Sequence, residues 1–281
     1  MKQLVLLALA AYLSCSVEAQ IKMPAPSPSQ NMVQEFGLGK IELSYSRPSV
    51  RGRAVFKEGS ELAPLNNVWR TGANGATTLK FTDNVSINGV QIAPGKYGLL
   101  AIPGNTEWTL VITKDTTVNQ PSAYKQENDV VRVTAKVMKM KENVEMFTMQ
   151  FANITPESCE LHLMWANTAV SLPITTNVKD RIRTQTEQAL AAEKVSANTY
   201  YTAANFYYEW DKDYNKALSC VVKAIDGSPK SFWMYLLKAK IEKELGDKVS
   251  AKQSAEKCKA VATEQGNTDY VRMSDEFIKK L

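Results

Sequence analysis

Histidine is almost absent from this chain of 281 residues, in which His162 is the only one. Structural zinc needs four cysteine or histidine ligands in paired spacing, and the chain's four cysteines do not provide such pairs. A Cys–His catalytic pair would have to use this single histidine, and no Gly-x-Ser-x-Gly nucleophile motif is present. We therefore predict no catalytic residue, no metal ligand and no cofactor. A hydrolase that uses carboxylates distant in the sequence is the remaining enzymatic alternative.

A strong excess of one charge is also missing. The chain has 34 basic and 29 acidic residues, for a formal charge of +5, and no block of like charges. A nucleic-acid-binding protein usually carries a basic patch or stripe, so this composition argues against nucleic acid as a partner. The longest apolar run, residues 4–13, is too short to span a bilayer, and we predict no transmembrane segment.

The N-terminal residues have the parts of a secretory signal peptide: a positive charge, the apolar run and a site with small residues. We predict a signal peptide over residues 1–19, with cleavage between Ala19 and Gln20. The mature protein would then be periplasmic or secreted. Cys15 allows an alternative, in which the protein is anchored to a membrane by a lipid on this residue.

The character of the sequence changes near residue 175. After an extended linker rich in proline and serine (20–33), residues 34–175 show short runs with period two, separated by turn residues. Such runs predict an antiparallel β-sandwich or barrel, and residues 176–281 read as helices, so the predicted class is α+β. The predicted strands are residues 41–45, 77–81, 85–87, 90–92, 96–102, 108–112, 130–137, 144–151, 160–165 and 169–174.

The lone histidine lies in one of these strands. His162 shares one face with Glu160 and Met164, and the other face of residues 160–165 is apolar. We therefore predict that His162 points outward from the sheet and has no catalytic partner.

One stretch departs from the alternation, namely Trp69-Arg70-Thr71-Gly72-Ala73-Asn74-Gly75-Ala76-Thr77-Thr78. In a structural interpretation, Trp69 packs in the core, Gly72 and Gly75 adopt positive φ, and Arg70 caps carbonyls or pairs with a carboxylate. In a functional interpretation, arginines converge on a cleft whose ligand is a carboxylate, phosphate or sugar. The candidate ligand-binding residues are Arg47, Arg53, Arg70, Thr71 and Asn74.

The same stretch, with Arg47-Pro48, Ile87-Asn88-Gly89 and Pro94-Gly95-Lys96-Tyr97, resembles an uncharacterised family of exported bacterial proteins, the DUF2911 family. The resemblance covers about residues 34–175. It implies a β domain, often followed by tetratricopeptide-like repeats, and it implies no established activity or substrate.

The helical part contains an internal sequence repeat with a period of 34 residues. Ala217 and Ala251 are one such pair, Ala224 and Cys258 another. Small residues at these places let paired helices approach closely, as in tetratricopeptide repeats. Lys238 departs from the pattern, because a small apolar residue is usual there. Aromatic residues of this tail have two possible roles: they pack in the core between helices, or they form a groove for a protein partner. The candidate partner-binding residues are Tyr201, Tyr208, Trp233 and Tyr235.

Three cysteines follow the predicted cleavage site: Cys159, Cys220 and Cys258. The last two occupy small apolar positions of the repeat, which predicts buried free thiols. A disulfide between Cys220 and Cys258 is the alternative in an oxidising compartment.

Asp115-Thr116-Thr117 resembles a short sequon for O-glycosylation in some Gram-negative exporters, with Thr116 as the acceptor. An ordinary turn is the alternative.

Together, these patterns favour an exported, non-enzymatic binding or scaffold protein whose β domain holds a ligand or a scaffold contact and whose tail contacts a protein. The alternative is a β-sandwich that binds a glycan or small ligand and has a merely structural tail.

Overall fold

The computed structural model describes residues 23–281 and is α+β. The chain divides into two units, one ending at Thr176 and one covering Asn177–Leu281. In the first unit, strands pair in two antiparallel sheets, with orders β1-β2-β3-β6-β7-β8 and β5-β4-β10-β9. The strands are β1 Ser29–Phe36, β2 Gly39–Ser46, β3 Thr78–Phe81, β4 Val85–Ile87, β5 Val90–Ile92, β6 Gly95–Ile102, β7 Glu107–Thr113, β8 Asp129–Lys136, β9 Met138–Ala152 and β10 Ser158–Thr175.

Strand β1 corrects the sequence analysis, because it begins inside the segment that was predicted to be an extended linker. Its half-buried side chains alternate with exposed ones, as a strand requires. Two of the four inward positions are glutamines, Gln30 and Gln34, and the other two, Met32 and Phe36, are apolar. The alternation of burial is therefore not an alternation of hydrophobicity, and the pattern could not be seen in the sequence.

Strand β10 contains a reversal, which explains why the sequence predicts two strands there. The Thr176 N–H donates to the Glu157 carbonyl at 2.9 Å, so the two ends of the element are adjacent. Ala166, near the middle, has φ 49°, in the left-handed region that tight reversals use.

The core of the first unit is rich in large aromatic side chains. Trp69, Trp108, Trp165 and Phe147 are all at most 4 % exposed. The Trp69 and Trp165 rings are stacked, with centroids 5.6 Å apart, and Phe147 lies 5.0 Å from Trp69. Aromatic side chains bury more area than other residues, so this cluster dominates the stability of the unit.

The second unit consists of helices that pack each on the next in sequence. They are α1 Lys179–Leu190, α2 Ala197–Phe206, α3 Tyr214–Gly227, α4 Phe232–Glu244, α5 Lys248–Glu264 and α6 Thr268–Lys279, with a π-helical turn at Tyr207–Asp211 between α2 and α3. Side chains of the preceding residues cap four of them, since Ser196, Asp213, Asp247 and Asn267 each accept a hydrogen bond from an N–H of the first turn.

Small residues lie where these helices pack. Ala217, Ala224, Ala251 and Cys258 are all fully buried, so both members of each 34-residue pair occupy core positions. Lys238 departs from the pattern because it has a partner: its Nζ lies 3.1 Å from Glu242 Oε1, one turn further along α4. The Ser254 hydroxyl of α5 donates to Oε2 of the same carboxylate at 2.6 Å.

Cys220 and Cys258 are buried free thiols, as predicted, and Cys159 is a buried free thiol as well. The alternative disulfide between Cys220 and Cys258 is wrong, because the two residues pack in different hydrophobic clusters. Within residues 23–281, no helix has the length and apolar character needed to cross a bilayer. The predicted signal peptide, with Ala19 and Gln20, and the alternative anchor at Cys15 lie outside the described residues.

Candidate functional site

Trp69 opens the unusual stretch, and it is held on both sides. Its backbone forms an antiparallel bridge with Ala101 of β6, with an N–H to carbonyl distance of 2.7 Å. Its ring lies in the aromatic core, where Nε1 donates to the Gly72 carbonyl at 3.2 Å. The Trp69 side chain therefore packs in the core and binds the backbone of its own loop. The prediction that Trp69 packs in the core is confirmed.

The backbone of the loop differs from the expectation at one of its two glycines. Gly72 has φ 151°, and a Cβ built there would lie 2.9 Å from the Ser46 carbonyl oxygen. Gly75 does not adopt positive φ, and the left-handed positions are instead Thr71 (φ 57°) and Asn74 (φ 59°). A β-branched residue rarely adopts this conformation, so it could not be expected at Thr71. The fully buried Thr71 is held by its carbonyl, which accepts from Thr77 Oγ1 at 2.7 Å.

Arg70 and Asn74 bind backbone carbonyls. The Arg70 guanidinium donates through Nη1 to the carbonyls of Asn74 and Asn119. The Asn74 side chain donates to the Ser27 carbonyl at 3.1 Å. These contacts tie the loop to two other segments of the first unit, a role in which a guanidinium and an amide act as multiple donors.

The two remaining arginines have different surroundings. Arg53 is exposed and donates to the carbonyls of Ser49 and Val50, within its own turn. Arg47 is half-buried, and donates from Nε to the Phe147 carbonyl at 3.0 Å and from Nη2 to Thr148 Oγ1 at 2.7 Å. Arg47 thus links the end of β2 to β9, and two of its five N–H donors are engaged by these bonds.

Arg47 lines a groove of about 520 Å³ between β1 and β9. This volume lies in the range of small-molecule and short-peptide sites. Gln30, Met32, Val33 and Gln34 of β1 form one wall, and residues 148–151 of β9 form the other. Of the five candidate ligand-binding residues, only Arg47 lines this groove, so the sequence located one member of the site and missed the two walls.

A hydrogen-bond chain fixes the base of the groove. The Tyr45 hydroxyl accepts from the Met149 N–H at 2.9 Å and donates to Gln30 Oε1 at 2.8 Å. Burial raises the pKa of Tyr45. Because Oε1 of Gln30 is engaged with Tyr45, its amide NH₂ is the part that remains to contact a ligand.

The candidate residues of the tail lie at the edges of its core. Tyr201, Tyr208 and Trp233 are half-buried and pack against the cluster formed by α2, α3 and α4. Tyr235 packs against the cluster of α4, α5 and α6, and its hydroxyl donates to the Pro229 carbonyl at 3.0 Å. Each ring therefore contributes to helix packing and leaves part of its surface accessible.

Polar groups surround His162, which lies on the outer face as predicted. Glu160 Oε2 lies 2.8 Å from His162 Nε2 and accepts from Ser171 Oγ at 2.8 Å, while Oε1 accepts from the Asn153 amide. The bonds from His162, Ser171 and Asn153 lower the pKa of Glu160 to about 2. Ser171 donates to the carboxylate and not to the imidazole, which is unlike a Ser–His catalytic pair.

The predicted glycosylation site lies in a loop after β7. Asp115 accepts hydrogen bonds from the N–H and the hydroxyl of Thr117, at 2.8 and 2.6 Å, and these bonds lower the pKa of Asp115. Thr116 between them is half-buried. The segment has the geometry of an Asx turn, and modification of Thr116 stays a prediction.

These observations define a protein of two units, one of paired antiparallel sheets with a groove between two sheet edges and one of helices. Residues 27–174 match the family described as "Protein of unknown function (DUF2911)". The match covers more than half of the chain, and the chain belongs to this family. The helical unit lies outside the matched residues. No curated protein matches the chain.

Proposed function

We propose that this protein is an exported, non-enzymatic binding protein, and that its ligand lies in the groove between β1 and β9. In this proposal the signal peptide delivers the chain to the periplasm or the outside of the cell, and the two sheets act as a β-sandwich scaffold. The observation that carries the proposal is Arg47, a half-buried cation with unused donors in a groove of ligand size.

The groove favours a ligand with a carboxylate or several polar oxygen atoms. Arg47 is the only charged residue among those that line it, and its remaining N–H groups can bind such oxygens. The Gln30 amide offers a further donor, and Met32 and Phe151 add apolar surface. This mixture of a few oriented polar groups with apolar walls is typical of binding sites. A glycan or another small ligand with a structural tail is the alternative within this proposal.

For the helical unit we propose tetratricopeptide-like repeats that contact another protein. Support comes from the small buried residues that recur at a spacing of 34 residues, and from the half-buried rings of Tyr201, Tyr208, Trp233 and Tyr235. Rings of this kind are frequent anchors in protein interfaces. The test is retention of a partner from a periplasmic extract by the immobilised protein, compared with a variant in which Trp233 and Tyr235 are alanine. Equal retention by both would contradict the proposal.

Thermal unfolding tests the groove. The mature protein is screened against organic acids, oligosaccharides, nucleotides, divalent metals and short peptides. A ligand present at 100 times its Kd stabilises the native state by about 2.7 kcal/mol, which raises Tm by several degrees. We expect at least one hit, and we expect Arg47→Gln to abolish its effect.

The matched control is Arg51→Gln, since Arg51 is an exposed arginine close in sequence that does not line the groove. Arg70→Gln distinguishes the site suggested by the unusual stretch from the groove. A hit that is lost with Arg70→Gln but kept with Arg47→Gln would move the ligand to the loop at residues 70–74. The absence of any hit in the screen would count against a ligand-binding function of the β unit.

A further inference from the structure

Strands β1 and β9 are both edge strands. β1 ends the first sheet and β9 ends the second, and the groove lies between them. An edge strand presents a row of backbone N–H and carbonyl groups that can pair with another chain. The direction of these groups can be worked out from the register of each strand.

On β1, alternate residues turn their backbone groups away from β2. The Arg47 N–H donates to the Pro28 carbonyl at 2.9 Å, which makes these two residues a hydrogen-bonded pair of the antiparallel ladder. The register then makes Gln30 with Tyr45 the next such pair. The N–H and carbonyl groups of Asn31, Val33 and Glu35 therefore point outward, and of these the Glu35 carbonyl accepts a hydrogen bond from the Gln34 amide at 2.9 Å.

On β9, the outward row is largely occupied within the chain. The Glu145 carbonyl accepts from Val50, the Phe147 N–H donates to Pro48, and the Met149 N–H donates to the Tyr45 hydroxyl. By the same alternation, the next outward residue is Phe151, at the end of the groove. The free row of β1 is thus longer, and β1 is the better strand for pairing.

The side chains of β1 suit an added strand. Val33 is 65 % exposed, and no proline interrupts residues 29–36. Such a strand lacks the features with which native proteins block edge pairing, apart from the charge of Glu35. Arg47 is the one charge that lines the groove, so the occupant best matched in charge is acidic.

We propose that the groove binds an extended acidic peptide segment of another protein, which adds as a strand to the outer edge of β1 and places a carboxylate on Arg47. Main-chain hydrogen bonds to residues 31–35 give affinity, and Arg47 gives selectivity for the acid. This inference rests on the proposed function and names the class of its ligand.

Two substitutions test the two halves of the proposal. Val33→Pro removes an outward N–H and leaves the β1–β2 ladder intact, because proline is tolerated at edge positions whose N–H faces away from the sheet. Val33→Thr retains the N–H and should restore binding. Arg47→Gln removes the charge, and thermal unfolding checks that each variant is folded.

The probe is obtained by panning random octapeptides displayed on phage against the mature protein and labelling the most enriched sequence with fluorescein. We expect an acidic residue in the enriched peptides. We expect Val33→Pro and Arg47→Gln each to weaken binding, measured by fluorescence anisotropy, by about tenfold or more, as the loss of one hydrogen bond or charged contact implies. The amides of residues 31–35 should also exchange with deuterium more slowly when the peptide is bound.

Three outcomes would overturn the inference. One is that panning enriches no peptide. Another is that the peptide binds equally well to Val33→Pro. If Arg47→Gln still weakens binding in that case, side chains and not the β1 backbone hold the ligand, and the proposed function stands. The last is a dimer, seen by sedimentation, that Val33→Pro dissociates, because the occupant of the β1 edge would then be a second copy of the chain.

Discussion

The pair formed by Lys238 and Glu242 gives a prediction whose size can be worked out from the structure. The Glu242 side chain is 6 % exposed, and its carboxylate is bound by the Lys238 ammonium at 3.1 Å and by the Ser254 hydroxyl at 2.6 Å. Removing one partner of a buried ion pair costs about 3–5 kcal/mol, because the other charge stays buried without compensation. The hydroxyl remains, and the lysine side chain is 29 % exposed, so water can replace part of the contact. We expect Lys238→Met to cost about 2–3 kcal/mol.

The assay is urea unfolding of the mature protein at pH 7, followed by circular dichroism at 222 nm, where the helical unit gives most of the signal. Lys252→Met is the matched control. Lys252 has the same spacing to Glu256, but this pair is 3.9 Å apart and both side chains are more than half exposed, so its loss should change stability by less than about 0.5 kcal/mol.

The double variant Lys238→Met with Glu242→Leu tests whether the uncompensated charge of Glu242 causes this loss of stability. Replacing both partners by apolar residues removes the uncompensated charge, so most of the lost stability should return. The reasoning is refuted if Lys238→Met is no more destabilising than Lys252→Met, or if the double variant is as unstable as the single one.

Three further predictions concern the first unit. Trp69→Ala should lower its free energy of unfolding by about 3–5 kcal/mol, measured by urea unfolding with near-UV circular dichroism; a loss below about 1 kcal/mol would show that the aromatic core does not depend on it. Burial and the bond to Asp129 raise the pKa of Tyr124 to about 12, so this tyrosine stabilises the fold fully below pH 10 and loses that contribution as pH rises toward 12; Tyr124→Phe should remove this alkaline step from stability curves, and an unchanged step would assign it elsewhere. The lowered pKa of Glu160 means that its contribution is present above about pH 4.5 and is lost as pH falls toward 2; Glu160→Gln should flatten this acid limb, and a limb that persists would contradict the hydrogen-bond assignment.

The sequence was most informative where burial and hydrophobicity coincide. In β10 the buried residues Leu161, Leu163 and Trp165 alternate with half-buried ones that include Glu160 and His162, so the strand and the outward direction of His162 could both be predicted. In the helices, the small residues that repeat every 34 positions marked places that are buried in the structure. Local patterns of this kind depend only on which side of an element meets the core.

The groove could not be predicted in the same way. Its walls come from β1 and β9, which are separated by about a hundred residues, and the inward glutamines of β1 look like surface residues in the sequence. Arg47 drew attention as an arginine, but so did Arg53 and Arg70. Only the tertiary arrangement distinguishes them, because it engages Arg53 within its own turn and Arg70 with two loop carbonyls.

The order of the strands has a consequence for folding kinetics. Most pairings join neighbours in sequence, such as β1 with β2 and β6 with β7, and these can form quickly. The pairing of β2 with β3 must first close the long segment 47–77, which carries Trp69 into the core. The entropy of this closure, together with that of the longer closure that pairs β4 with β10, should slow the folding of the first unit. Trp69→Phe should then slow refolding more than it speeds unfolding, and the opposite partition in stopped-flow measurements would show that the segment docks late.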